Sequence, residues 1–219
     1  MRWYTAFLNS PEFMAGLRNT LILSLITPPL CLAIVLPTAH AIARRSFPGA
    51  HSIDALLSST LLLPGVVTGI AFLSFFNTLG VTNGLVKMTV AMTIFCLPYA
   101  LHAITASYHG SDLRIEEAAR DLGATPLYAY FRIVLPQLKP GILAGSIFIF
   151  AETVDNFTIN VFLSDMNSNT LPIVTYNHMR NYDDPIVAVI ATLLAGMALI
   201  LMLILNRLIG LDRLMTQGS

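Results

Sequence analysis

An all-α, polytopic membrane protein is the fold class this sequence predicts, and three observations predict it. Of 219 residues, 55% are hydrophobic and 11% charged, with a mean hydropathy of +0.72, whereas soluble domains carry about 25% charged residues. Five apolar runs, each about 20 residues or longer, recur along the chain, enough in each case to cross roughly 30 Å of hydrocarbon. The charges are also concentrated: five fall between Asp112 and Arg120, in a segment flanked on both sides by membrane-length apolar sequence. Net charge is zero, so nothing in the balance points to a nucleic-acid partner.

The sequence reads as one transmembrane domain over residues 1–219. Trp3, Tyr4, Phe7 and Phe13 lie in a start that lacks the basic and apolar regions of a signal peptide, and they suit an interfacial segment at headgroup level. A first span is predicted at residues 21–43, with kinks from Pro28, Pro29 and Pro37, closed by Arg44-Arg45 and a Ser46-Phe-Pro-Gly49 turn. A second, residues 55–79, holds Pro64 and a Gly65-x-x-x-Gly69 step that allows close helix packing. Gly80-Val-Thr-Asn-Gly84 is a tight turn into a third span at residues 85–107, with Lys87 at its edge, free to snorkel, and Pro98 near its middle. The fourth span is predicted at residues 141–163 and the fifth at 186–208, joined by a polar loop.

Between the third and fourth spans lies the charged loop, residues 108–139. Ile115, Ala118, Ala119 and Leu122 recur at the spacing of one helical face. Ser111 or Asp112 can cap the start of that helix, and Gly123 sits where a left-handed C-terminal cap is wanted. Glu116 and Glu117 precede Arg120 at ion-pairing distance along a helix. Thr125-Pro126 then reads as an N-cap and first residue of a second helix that stops near Pro136.

Glu117-Ala118-Ala119, Gly123 and then Ile133, Leu135 and Pro136 follow the spacing of the EAA loop. In that pattern the chain resembles the membrane subunits of ABC importers. The resemblance implies a type I importer permease fold. It also implies that Glu117, Ala118, Ala119, Arg120, Leu122 and Gly123 form a coupling helix received by a cytoplasmic ATPase subunit. It further implies a second permease subunit, in a homodimer or heterodimer, an extracytoplasmic solute-binding protein, and residence in the bacterial cytoplasmic (inner) membrane. The chain should need no cofactor of its own. No GxxxxGK[S/T] run surrounds Lys87 or Lys139, so ATP would be bound by the partner.

Basic residues orient the chain. With the charged loop cytoplasmic, that side holds Arg44, Arg45, Arg114, Arg120, Arg132, Lys139, Arg207 and Arg213, against Arg2, Arg18, Lys87 and Arg180 on the other. Five spans would then place Met1 outside the cell. The resemblance implies six helices, so the expectation is a first helix lost by truncation or a misplaced start.

Glu152, Asp155, Asn156 and Asn160 fall inside the fourth span, where carboxylates are costly unless they face water or a partner. Glu152 and Asp155 are three apart and share a helix face. They either glue helices as a buried polar cluster or line a path that favours cationic groups. Asp155-Asn-Phe-Thr-Ile159, Phe162-Leu-Ser164 and Thr170-Leu-Pro172 resemble the spermidine/putrescine-type permeases. Asn156 stands where members of that group often carry a second acid. This leaves room for a polyamine-, opine-, amino-acid- or phosphonate-like cargo bearing one cationic group. The alternative is a proton-coupled secondary transporter using Glu152 and Asp155, which internal inverted repeats would favour. An intramembrane hydrolase is disfavoured, because two acids one turn apart on one helix cannot face each other across a scissile bond. Cys31 and Cys96 read as small hydrophobes within spans, and no metal-ligand spacing is present.

Overall fold

The computed structural model describes residues 2–44 and 63–209. Every element among them is helical: α1 (Arg2–Leu8), α2 (Pro11–Ala43), α3 (Gly65–Thr78), α4 (Gly84–His109), α5 (Leu113–Asp121), α6 (Pro126–Gln137), α7 (Lys139–Asp155), α8 (Asn160–Leu163), α9 (Leu171–Asn181) and α10 (Ile186–Ile209). Helices α2, α4 and α10 are each long and apolar enough to cross a membrane, and α6 with α7 makes a further candidate bent by 70°. Of the second predicted span, residues 55–62 lie outside the described residues, as do Arg45, the turn at 46–49 and Arg213.

Helix α2 begins at Pro11, ten residues before the predicted span. Ser10 caps it, its Oγ accepting from the Phe13 N–H at 3.5 Å, and Pro11 takes the first helical position, where no N–H is needed. At 1.5 Å per residue its 33 residues extend roughly 50 Å, well beyond a hydrocarbon core. The extra turns carry Asn19 and Thr20, which hold a loop at that end of the bundle. The Asn19 amide donates to the carbonyls of Asn167 and Asn169, both at 3.0 Å, and the Leu171 N–H donates to Thr20 Oγ1 at 2.8 Å.

The core lies where α2, α4 and α7 meet. Leu23, Cys31, Val35 and Ala39 of α2 pack with Met88, Met92, Cys96, Leu101 and Ile104 of α4 and Ile149 of α7. Both cysteines are free and buried there, as small hydrophobes. The α4–α7 contact depends on Gly141 and Gly145. A Cβ at Gly141 would lie 2.6 Å from the Ala103 carbonyl oxygen, so only glycine admits this approach. The Gly65-x-x-x-Gly69 step packs as predicted, against Thr158, Ile159 and Phe162.

Two expectations need correction. The fourth span is not one helix: α7 ends at Asp155, Asn156 is extended (φ −67°, ψ 102°), and α8 is a separate short turn. The cause is local competition for the backbone. Asn156 Oδ1 accepts from the Ile159 N–H at 2.9 Å, and such side-chain bonds offer the chain an alternative to the helix ladder. Lys87 is 8% exposed rather than free at an edge, and the loop of residues 164–170 packs on the start of α4 at Gly84.

Asp165 ties that loop down. Its Oδ2 accepts from the Gly84 N–H at 2.7 Å and its Oδ1 from the Asn167 N–H at 2.9 Å, while its own N–H donates to Ser168 Oγ at 2.8 Å. The Gly84 N–H, foremost among these donors, holds the Asp165 carboxyl below its ordinary range. A carboxyl lowered on folding adds stability above its unfolded value and loses it as pH falls through the folded one. The thermal stability of the purified protein should therefore exceed that of Asp165→Asn by the widest margin above about pH 5, and the margin should close below about pH 4. A margin that is constant with pH would contradict this.

Candidate functional site

Helix α5 is a short, mostly exposed rod held at both ends by its own sequence. Asp112 caps it, Oδ1 accepting from the Arg114 N–H at 3.0 Å. At the other end the Gly123 N–H donates to the Arg120 carbonyl at 2.9 Å and the Ala124 N–H to the Ala119 carbonyl at 3.0 Å. This is a Schellman closure, and it places Gly123 at φ +92°, in the left-handed region that the glycine was expected to occupy. Thr125 then caps α6 as predicted, its Oγ1 accepting from the Tyr128 N–H at 3.3 Å with Pro126 next. Helix α6 carries on past Pro136 to Gln137. Its π-helical turn, Tyr130–Val134, precedes Pro136, which has no N–H to give the Arg132 carbonyl.

Most of the predicted apolar stripe of α5 points away from the bundle. Ile115 and Ala118 are exposed, Ala119 is half-buried and Leu122 is 90% exposed. Glu117, Arg120 and Asp121 are exposed too, and together with Ala124 and Pro126 they line an open depression of about 390 Å³. The two neighbouring glutamates part company, because consecutive helical side chains lie about 100° apart. Glu117 faces out, whereas Glu116 is 3% exposed. Its Oε2 accepts from Arg44 Nε at 3.1 Å, with Arg44 Nη2 also in ion contact. The expected pairing of Glu116 with Arg120 is thus replaced by a partner at the end of α2. No spacing rule along one helix can reveal a partner 72 residues away.

The fourth-span residues separate into two groups. Glu152 and Asp155 line one open cavity of about 510 Å³ between α7 and α10, beside Phe148, Ala151, Ala191 and Ala195. Asp155 is exposed on the last turn of α7, and Glu152 is half-buried. Asn156 braces Glu152, donating from Nδ2 to Oε1 at 3.0 Å. Asn160 stands apart on α8. It is fully buried, donating to the Asn156 carbonyl at 2.8 Å, and its Oδ1 has no partner among the described residues.

The family described as binding-protein-dependent transport system inner membrane component matches residues 13–211. The chain belongs to this family. It is a permease subunit of binding-protein-dependent transport. Its relatives include the spermidine/putrescine transport system permease protein PotC of Escherichia coli, 27% identical over 218 residues, covering 100% of this chain and 81% of that protein. The putrescine transport system permease protein PotI of Escherichia coli is 30% identical over 202 residues, covering 89% of this chain and 72% of that one. Among solved structures, the MetNI methionine ABC transporter in an inward-facing form shares the fold. Its TM-score is 0.77 at 16% identity, over 89% of this permease and 93% of that chain. The fold is that of a type I ABC importer permease. A transport role, rather than an enzymatic one, follows from the family.

Proposed function

We propose that this permease is the transmembrane subunit of an ATP-driven importer in the bacterial cytoplasmic (inner) membrane. It lies in the membrane through α2, α4, α7 and α10, with α5 on the cytoplasmic side. The face of α5 bearing Glu117, Ala118, Ala119, Arg120 and Leu122, set by the Gly123 cap, docks into a groove on a cytoplasmic ABC ATPase subunit. A second permease subunit and an extracytoplasmic solute-binding protein complete the machine. The observation that carries this reading is a helix capped at both ends whose apolar stripe is largely exposed among the described residues, Leu122 to 90%.

The path runs past Glu152 and Asp155, with Asn156 bracing Glu152 and Asn160 holding the break below. The cargo is a small solute with a cationic or amine group. Two acids sit at the C-terminal end of a helix, where the last carbonyls add partial negative charge, and that field favours a cation. The names of the spermidine/putrescine and putrescine relatives support the same class. ATP-driven closure of the ATPases moves α5 and switches access to this path.

The test is uptake into proteoliposomes carrying the assembled transporter, with radiolabelled putrescine and the solute-binding protein outside. Accumulation that requires ATP on the α5 side supports the proposal. Accumulation driven by a proton gradient without the ATPase contradicts it.

A further inference from the structure

Glu116 is the place where α5 joins the membrane bundle. Apart from the turn that leads into α6, α5 lies largely uncovered, yet this one carboxylate is almost wholly buried. Among the described residues Arg44 and His40 face it, and α4 and α6 close around His40. Arg44, just past α2, gives the ion pair already described, and His40 Nε2 of α2 lies 4.0 Å from Oε1. His40 Nδ1 is 3.1 Å from the Tyr108 hydroxyl of α4, and the His40 ring sits edge-on to Tyr130 of α6 at 4.8 Å. Helix α2 is in turn the longest among the described residues and packs on α4, α7 and α9.

We infer that the Glu116–Arg44 pair is the latch that carries motion of the coupling helix into α2, and so into the path. An exposed ion pair would be too weak to act as a strut, but here Glu116 is buried and Arg44 only 20% exposed, so removing Arg44 leaves a buried carboxylate without its countercharge. Pushing α5 therefore drags the end of α2 with it, instead of sliding past. Glu117 then meets the ATPase and Glu116 transmits. These are separate positioning roles on adjacent residues. The inference rests on the importer reading above, and the experiment keeps the two apart.

Ala151→Cys, on the exposed wall of the Glu152–Asp155 cavity, reports access by its reaction rate with a membrane-impermeant maleimide; Cys31 and Cys96 are buried and silent. In the transporter assembled with its ATPase, trapping with ATP and vanadate should change that rate by about tenfold, the scale of a typical coupling between sites. Glu116→Gln should still co-purify with the ATPase and hydrolyse ATP, but lose the rate change. Arg44→Glu should lose it too, and the swapped pair Arg44→Glu with Glu116→Arg should regain most of it. A rate change that survives Glu116→Gln would overturn the latch, as would a swapped pair no better than either single change. Loss of ATPase capture in Glu116→Gln would also overturn it, since the residue would then act through docking. A parent that shows no nucleotide response counts against the importer reading itself.

Discussion

Gly123→Val should give a transporter that still binds its ATPase and hydrolyses ATP but hardly moves cargo. Gly123 sits at φ +92°, and a β-branched residue held there costs about 1–3 kcal/mol. Among the described residues the space around it is open: a Cβ would meet nothing within 4 Å. The effect must come from the backbone and not from a clash. Valine relieves the strain by letting go of the bonds from Gly123 and Ala124 that close α5, so the elbow to α6 loses its fixed angle. A drop of about tenfold in putrescine taken up per ATP hydrolysed is expected. Gly123→Asn, which tolerates left-handed backbone, should recover most of it. Equal loss in both variants, or normal uptake in the valine variant, would contradict the account.

Asp155→Asn should reduce uptake of an amine cargo by one to two orders of magnitude, about the worth of a hydrogen bond to a charged group. Asp155 is the exposed carboxylate on the last turn of α7, without an internal partner among the described residues. Glu152 already accepts from the Asn156 amide, so Glu152→Gln should cost less. The comparison is made on initial uptake rates at equal ATPase activity. Unchanged uptake in Asp155→Asn, or a larger loss in Glu152→Gln, would show that the acids do not meet the cargo as described.

Helix α5 was almost wholly legible in the sequence because its determinants are local. Asp112, Gly123, Thr125 and Pro126 each act on backbone within a few residues, and each does what its chemistry predicts. The apolar stripe gave the correct period; of its residues Ile115, Ala118 and Leu122 are exposed and Ala119 is half-buried. Glu116 was not legible, because its partner is brought near by packing of α2 rather than by helix spacing. The break after Asp155 was hidden inside an apolar run whose length alone suited a full span. Its signal was Asn156, an amide able to cap its own neighbour, three residues before Ile159. The early start of α2 had a visible signature in Ser10-Pro11, but hydropathy located the membrane-length run and not the helix. The small faces of Gly141 and Gly145 form a second four-residue glycine step, masked by the first at Gly65 and Gly69.

The central claim is that α5 delivers its open face to a subunit that hydrolyses nucleotide. Leu122→Cys tests it most directly, since Leu122, 90% exposed, is the most exposed large hydrophobic of that face and the native cysteines are buried. The account predicts that an impermeant reagent labels this cysteine only from the cytoplasmic side of membrane vesicles, and that a short thiol crosslinker joins it to the ATPase subunit. Labelling from the outer face, or a purified complex in which no ATPase is joined there, would contradict it.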